Sequence, residues 1–214
     1  MSTSLRDQVV YQAASLCLSY PDDHVMDAAP LIAAALRESA PGSAPSFAPL
    51  LEWWAATPRP VVQTAYVDVF DMSKRHALYL SYWTDGDTRR RGMVLADLKQ
   101  RYREAGLSLE HGTGELPDFV PLVLEYAAQN PAAGAALLQE YRASIELIRI
   151  ALAERGSPYA GVVAAVCATL PGRSPADRQQ AMALASNGPP TETVGLDAYD
   201  PRLLPLATAS TGGR

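Results

Sequence analysis

The side chains best suited to chemistry in this chain are carboxylates gathered in two short pieces, Ala65-Tyr-Val-Asp-Val-Phe-Asp71 and Glu115-Leu-Pro-Asp-Phe-Val-Pro121, with Glu125 just beyond. Together with His111 or His76, the acids Glu115, Asp118 and Glu125 could move protons or hold a metal ion. The spacing does not favour that use. The three histidines, His24, His76 and His111, form no H-x-x-x-H or E-x-x-H pair that would put two ligands on one helix face. The same pieces also carry Tyr66, Val69, Phe70, Pro117 and Phe119, and Leu78-Tyr-Leu-Ser-Tyr82 lies between them, followed by Arg89-Arg-Arg91. Apolar and aromatic positions edged by charge are the chemistry of a surface that holds another polypeptide, so a binding protein is expected, with no bound cofactor and no metal.

Composition bounds the reading. With 214 residues a single globule buries roughly 70% of its extended-chain surface, which makes a real core expected. A formal charge of -5, with the arginine triplet as the one tight basic cluster, excludes a nucleic-acid binder and a helical transcription regulator. Cys17 and Cys167 sit far apart in apolar helical patterns and read as buried free thiols. The first residues lack a secretory signal's basic and apolar regions. No apolar run reaches the roughly 18 residues of a membrane span. A cytoplasmic protein is expected.

The elements that would position these groups are helices throughout. Apolar residues recur at three- and four-residue steps over Leu5 to Leu18 and again over Val25 to Glu38, with Pro30 opening or kinking the latter. Ser46 is expected to cap a helix from Phe47 to Ala56. Its adjacent Trp53 and Trp54 point about 100° apart and cannot be buried equally unless covered on two sides. The next helix, Val61 to Phe70, ends with Asp68 and Asp71, where its dipole prefers cations; a further one, capped by Asp87 or Thr88 and closed by Gly106, opens with Arg89-Arg91, where the dipole prefers anions. Asp71, Asp85 and Asp87 are the expected neutralisers of that run. Glu115-Leu-Pro-Asp is expected to open a helix with Asp118 and Glu125 two turns apart on one face. A long helix over Ala132 to Glu154 follows, then helices over Tyr159 to Leu170 and Ala176 to Ala185. Gly112-Thr-Gly114 has no strand before it and no GK[ST] after it, so a phosphate loop is not indicated. The chain should form one all-α helical-bundle domain over residues 1–186, with 187–214 as a flexible tail.

The run Tyr66 to Asp71, Leu78-Tyr-Leu-Ser-Tyr82, Gly86-Asp-Thr-Arg-Arg-Arg-Gly92 and Glu115-Leu-Pro-Asp118 resembles the molybdenum-cofactor assembly chaperones of respiratory nitrate reductase, the delta-subunit or NarJ type. These are part of the wider TorD/DmsD group of redox enzyme maturation chaperones. The resemblance covers roughly Leu5 to Ala185 by helix order and is specific over Ala65 to Glu125. It implies an all-helical chaperone for nitrate reductase assembly that is not an enzyme. Such a chaperone binds the N-terminal leader of the catalytic (alpha) subunit, delays membrane attachment and assists molybdenum cofactor insertion. The machinery that handles the cofactor would be a further partner. The pieces around Tyr66, Val69 and Phe70 and around Glu115, Pro117 and Asp118 match the parts of the wider group linked to leader binding; with Asp71, Tyr82, Phe119 and Glu125 beside them they are the expected peptide-binding residues, on an expected monomer or weak homodimer that does not itself enter the membrane. Where the wider group often has histidine after E-x-P-D, this chain has Phe119, which fits the nitrate reductase branch. A basic, amphipathic leader calls for an apolar groove with a carboxylate rim, the role expected of Asp68, Asp71, Asp118 and Glu125. The rival reading is a small helical enzyme using Glu115, Asp118 and His111.

Overall fold

Ser4 starts the first helix with a reciprocal cap: its hydroxyl accepts from the Asp7 amide while the Asp7 carboxylate accepts from the Ser4 amide. From there α1 runs Leu5–Leu18, as its apolar spacing predicts. The computed structural model describes residues 4–85, 89–107 and 114–186, and within them the secondary structure is helical apart from one isolated antiparallel bridge. The expected tail 187–214 and the expected caps Asp87 and Thr88 lie outside the described residues.

The second apolar pattern is two helices, α2 (Asp23–Asp27) and α3 (Ala29–Ser39), because Pro30 has no amide to continue the first. Next, α4 spans Ala44–Ala56, starting three residues before the sequence suggests; Pro45 occupies its first turn, where a missing amide costs nothing. Trp54 is buried and Trp53 only partly, its ring meeting Tyr159 edge-on at 6.4 Å, so the two indoles divide as adjacent helix positions should. α5 (Arg59–Tyr66) passes into a π-helical turn over Val67–Asp71, a 3-10 turn over Lys74–His76, and α6 (Leu80–Asp85). α7 (Arg89–Glu104) ends at Gly106, whose φ of 74° is the left-handed conformation expected of a glycine stop.

Two expectations are corrected in the second half. Glu115 to Phe119 are not the first turn of a helix: α8 spans Val120–Gln129, because the backbone before it pairs with Leu78–Leu80 instead. The long helix is two, α9 (Pro131–Glu140) and α10 (Arg142–Glu154), broken where Tyr141 leaves helical geometry at φ -96°, ψ 17°. α11 (Tyr159–Thr169) and α12 (Arg178–Ser186) complete the described chain.

The core lies where α1 crosses α8 and α11, with α10 behind α11. Val10, Ala14, Leu18, Val123, Leu124, Ile148, Leu152, Val162 and Val166 fill it, each valine, leucine or isoleucine contributing about 1.5–3 kcal/mol by leaving water. Two glycines let backbones touch. A Cβ on Gly134 would stand 2.2 Å from Ala127 Cα, and one on Gly161 2.1 Å from the Ser46 carbonyl oxygen. Cys17 and Cys167 are buried and free, with burial pushing both thiols up. Among the described residues no helix is long and apolar enough to cross a membrane.

Candidate functional site

The site is built where α5 loosens. The Met72 amide donates to the Val67 carbonyl at 3.0 Å, a five-residue step that widens the helix, and such turns are frequent at functional positions. Tyr66 and Phe70 lie on the inner face of this turn with ring centroids 4.7 Å apart. Tyr159 packs against Phe70 at 5.0 Å, Tyr20 against Tyr66 at 5.6 Å, and the Tyr66 hydroxyl donates to the Leu18 carbonyl at 2.9 Å. These contacts fix an aromatic floor.

The facing wall comes from two extended pieces. The Leu80 amide donates to the Asp118 carbonyl at 3.0 Å and the Val120 amide to the Leu78 carbonyl at 2.8 Å, so Tyr79 and Phe119 form a non-hydrogen-bonded antiparallel pair. Side chains approach most closely in such pairs, and these two rings stand 5.5 Å apart. The Tyr79 hydroxyl donates to Glu115 Oε2 at 2.9 Å. Between floor and wall lies a cleft of about 300 Å³ lined by Tyr20, Tyr66, Phe70, Asp71, Leu78, Tyr79, Glu115 and Phe119.

The cleft is electrically negative. Burial pushes the Asp71 carboxyl above its ordinary range, and among the described residues no cation pairs with it. Burial, and then the Asp71 charge, push the Tyr66 phenol up; burial, and then its bond to Glu115, do the same to Tyr79. A positive charge entering the cleft would favour the ionised form of the Asp71 carboxyl. Apolar side chains next to the two acids are exposed, Met72 at 76% and Leu116 at 37%.

The expected site residues divide. Tyr66, Phe70, Asp71, Glu115 and Phe119 come together on the cleft although 44 to 53 residues of chain separate the two groups (115 minus 71; 119 minus 66). Val69 is buried in the core, Pro117 is buried with its carbonyl accepting from the Tyr102 hydroxyl at 2.7 Å, and Asp68 is exposed outside the cleft lining. Glu125 is exposed on α8 and accepts from Gln129 at 3.2 Å. Asp118, expected on the rim, has no exposed surface at all and lies inside, against Ser81 and Arg91. Arg91 thus meets Asp118; of the three acids expected to neutralise the arginine run, Asp71 makes no ion pair among the described residues and Asp87 lies outside them. Tyr82 does not line the cleft, and stands 5.9 Å under Arg91. Tyr20, Leu78 and Tyr79 were missed. For Tyr79 the available signal was the short Leu78-Tyr-Leu piece, in which alternate side chains face opposite sides once the backbone is extended.

The residues of the acid/base reading do not converge. Glu115 is on the cleft, Asp118 in the interior, and His111 lies outside the described residues. His76 is buried elsewhere, its Nδ1 3.2 Å from the Ser73 hydroxyl, with burial and then the Arg155 charge pushing it down. Among the described residues no three His, Cys, Asp or Glu side chains gather as a metal site. A second groove of about 370 Å³ between α3 and α4, lined by Leu36, Ala44, Ala48 and Leu51 with Arg37 and Glu52, contains none of the expected residues.

Comparison with known proteins places the chain. The sequence profile of the family described as nitrate reductase delta subunit matches residues 30–165. The nitrate reductase-like protein NarX of Mycobacterium tuberculosis is 41% identical over 162 residues, 75% of this chain; the match covers only 24% of that longer protein. NarJ of Bacillus subtilis is 31% identical over 176 residues, 79% of this chain and 92% of the relative. The nitrate reductase molybdenum cofactor assembly chaperone NarJ of Escherichia coli K12 is 36% identical over 99 residues, 46% of this chain and 41% of the relative. Among solved structures, a redox enzyme maturation protein from Archaeoglobus fulgidus superposes with a TM-score of 0.57 at 20% identity, covering 75% of this chain and 91% of that one, which establishes a shared fold.

Proposed function

Because the chain belongs to the nitrate reductase delta-subunit family, a family of assembly chaperones and not of catalysts, we propose that it is the dedicated chaperone of a nitrate reductase catalytic subunit. It takes the N-terminal leader of that subunit into the cleft between the π-helical turn and the Tyr79–Phe119 wall, holds it away from the membrane, and keeps the client competent to receive its molybdenum cofactor. The cofactor is the client's cargo.

The observation that carries this reading is the combination of an aromatic cleft with two carboxylates, Asp71 and Glu115, at its edge. A leader with a basic start and an apolar helical face supplies the complementary groups: a cation for the acids and aliphatic side chains for Phe70 and Phe119. Exposed Met72 and Leu116 beside the acids extend the apolar area beyond the cleft itself. Aromatic anchors at the centre with charge at the rim is the usual distribution of binding energy in such interfaces.

The test is calorimetric titration of the purified chain with a synthetic peptide of the leader. Binding at micromolar affinity or tighter is expected, weakened by Glu115→Gln while the circular dichroism of the variant stays that of the wild type. Absence of binding, or binding indifferent to that substitution, would overturn the cleft reading.

A further inference from the structure

Asp118 stands one residue from the cleft's Phe119 and three from its Glu115, yet faces away from both. That is the alternation of an extended backbone: with Phe119 on the cleft side of the bridge, its neighbour must point inward. Inside, Asp118 Oδ2 accepts from the Ser81 amide at 3.2 Å and from the Ser81 hydroxyl at 2.5 Å. Arg91 reaches the same place from α7. Its Nε donates to the Ser81 hydroxyl at 3.2 Å and its Nη2 lies 3.5 Å from Asp118 Oδ2. The guanidinium carbon also sits 5.8 Å from the centre of the Tyr79 ring. Three pieces of chain, two of them 27 and 37 residues from Asp118, therefore meet at one buried carboxylate, and two of the three carry the cleft wall.

The side chains of Leu78, Leu80 and Val120 anchor the wall in the core, and the Tyr79 hydroxyl ties it to Glu115. Its backbone pairing is a single bridge made by two hydrogen bonds, and an isolated two-stranded pairing is marginal in water. A buried, charge-assisted contact next to that bridge is what can fix its register, since hydrogen bonds to ionised partners are about twice as strong as neutral ones. α7 adds a second grip, through the Tyr102 hydroxyl on the Pro117 carbonyl.

We propose that Arg91 is the positioning residue of the cleft: acting through Asp118 and Ser81, it holds the Tyr79–Phe119 pair in the register that forms the binding wall, without touching the client. The inference deepens the leader-binding reading and shares its cleft, but part of its test needs no client. Arginine suits the position because its planar fork reaches the hydroxyl and the carboxylate together while its face lies near the ring; a lysine ammonium has neither the fork nor the planar face.

The experiment compares the wild type with Arg91→Gln and Arg91→Lys. Amide hydrogen exchange comes first. The Leu80 and Val120 amides, which make the bridge, should exchange at least about tenfold faster in Arg91→Gln, while amides within α11 keep their wild-type rates. Unchanged rates at Leu80 and Val120 would overturn the proposal. The second measurement is affinity for the synthetic leader peptide. Removing a cation next to a negative cleft should strengthen binding of a basic peptide if charge alone mattered, whereas loss of the wall weakens it. About tenfold weaker binding is expected for Arg91→Gln, partly restored in Arg91→Lys, and the loss should shrink severalfold when Phe119 is already alanine. Stronger or unchanged binding, or a loss that simply adds to that of Phe119→Ala, would contradict it. Should the wild type bind no leader peptide while the bridge amides still loosen in Arg91→Gln, the leader reading falls and the positioning role of Arg91 stands.

Discussion

Among the described residues two carboxylates are wholly sealed from solvent, Asp118 and Glu146, and both are answered by arginine, yet their settings differ. Glu146 on α10 is met by its own helix: Arg149 Nε donates to it at 2.6 Å and Arg142 Nη2 lies 3.6 Å away. The same two guanidinia reach out to the Gly172 carbonyl at 2.9 Å and the Pro175 carbonyl at 2.7 Å, fastening the segment that leads into α12. Asp118 instead gathers partners 27 and 37 residues away and backs onto an open cleft. The first arrangement secures one loop onto one helix. The second converts packing inside the bundle into the shape of a surface. A buried ion pair is thus weak evidence of function by itself; what borders it decides what it does.

Substitutions can separate the two. Glu146→Ala leaves two arginines facing each other across a dry corner and should cost about 3–5 kcal/mol of stability in urea unfolding. The folded fraction should still bind the leader peptide as the wild type does; weakened binding by the folded fraction would mean that the two regions are not independent. Asp118→Asn keeps an acceptor for Ser81 but removes the charge facing Arg91, so a smaller loss of about 1.5–3 kcal/mol is expected in the same measurement, now accompanied by weaker peptide binding. Phe119→Ala should move the balance fully to function, weakening binding about tenfold, or roughly 1.4 kcal/mol, with a smaller change in unfolding free energy.

The smallest expected effect is at Asp71, and its sign is informative. Burial raises the Asp71 carboxyl, so the folded chain keeps a proton over a pH range in which the unfolded chain has already released it. Stability must then fall as pH rises from the ordinary carboxylate value of about 4 through the raised value. Asp71→Asn abolishes that slope. The variant should gain slightly on the wild type in thermal unfolding as pH rises toward neutrality while binding the basic leader less well, a stability cost accepted by a group kept for binding. A variant that loses stability at neutral pH would show that Asp71 has a structural partner instead.

How much of this was legible in the sequence follows the same division. α1 could be read to the residue, since its cap and its apolar steps are local, and the all-helical class followed from the absence of sustained alternation. The break at Tyr141 was not legible: Leu137, Leu138, Tyr141 and Ile145 keep helical spacing across it, and the interruption is a backbone event without a proline or glycine to announce it. The π-helical turn is hidden likewise, because Tyr66 and Phe70 are four apart and read as one helix face. At the cleft, the expected stretches supply five of the lining side chains. Residue type misplaced Asp118, because its inward direction depends on Leu78–Leu80 pairing with residues nearly 40 positions later, and one bridge leaves no periodic trace. Tyr79 and Tyr82 were exchanged for the same reason.

The central claim is that the client's leader occupies the cleft edged by Asp71 and Glu115. It is met most directly by photo-crosslinking the full-length chain to the intact catalytic subunit, with benzoylphenylalanine placed at Leu116 beside the cleft or at Ala48 in the α3–α4 groove. Crosslinks from position 116 that map by mass spectrometry to the N-terminal segment of the client, and none there from position 48, are the expected result. Crosslinks to that segment from position 48 and not from 116 would contradict it.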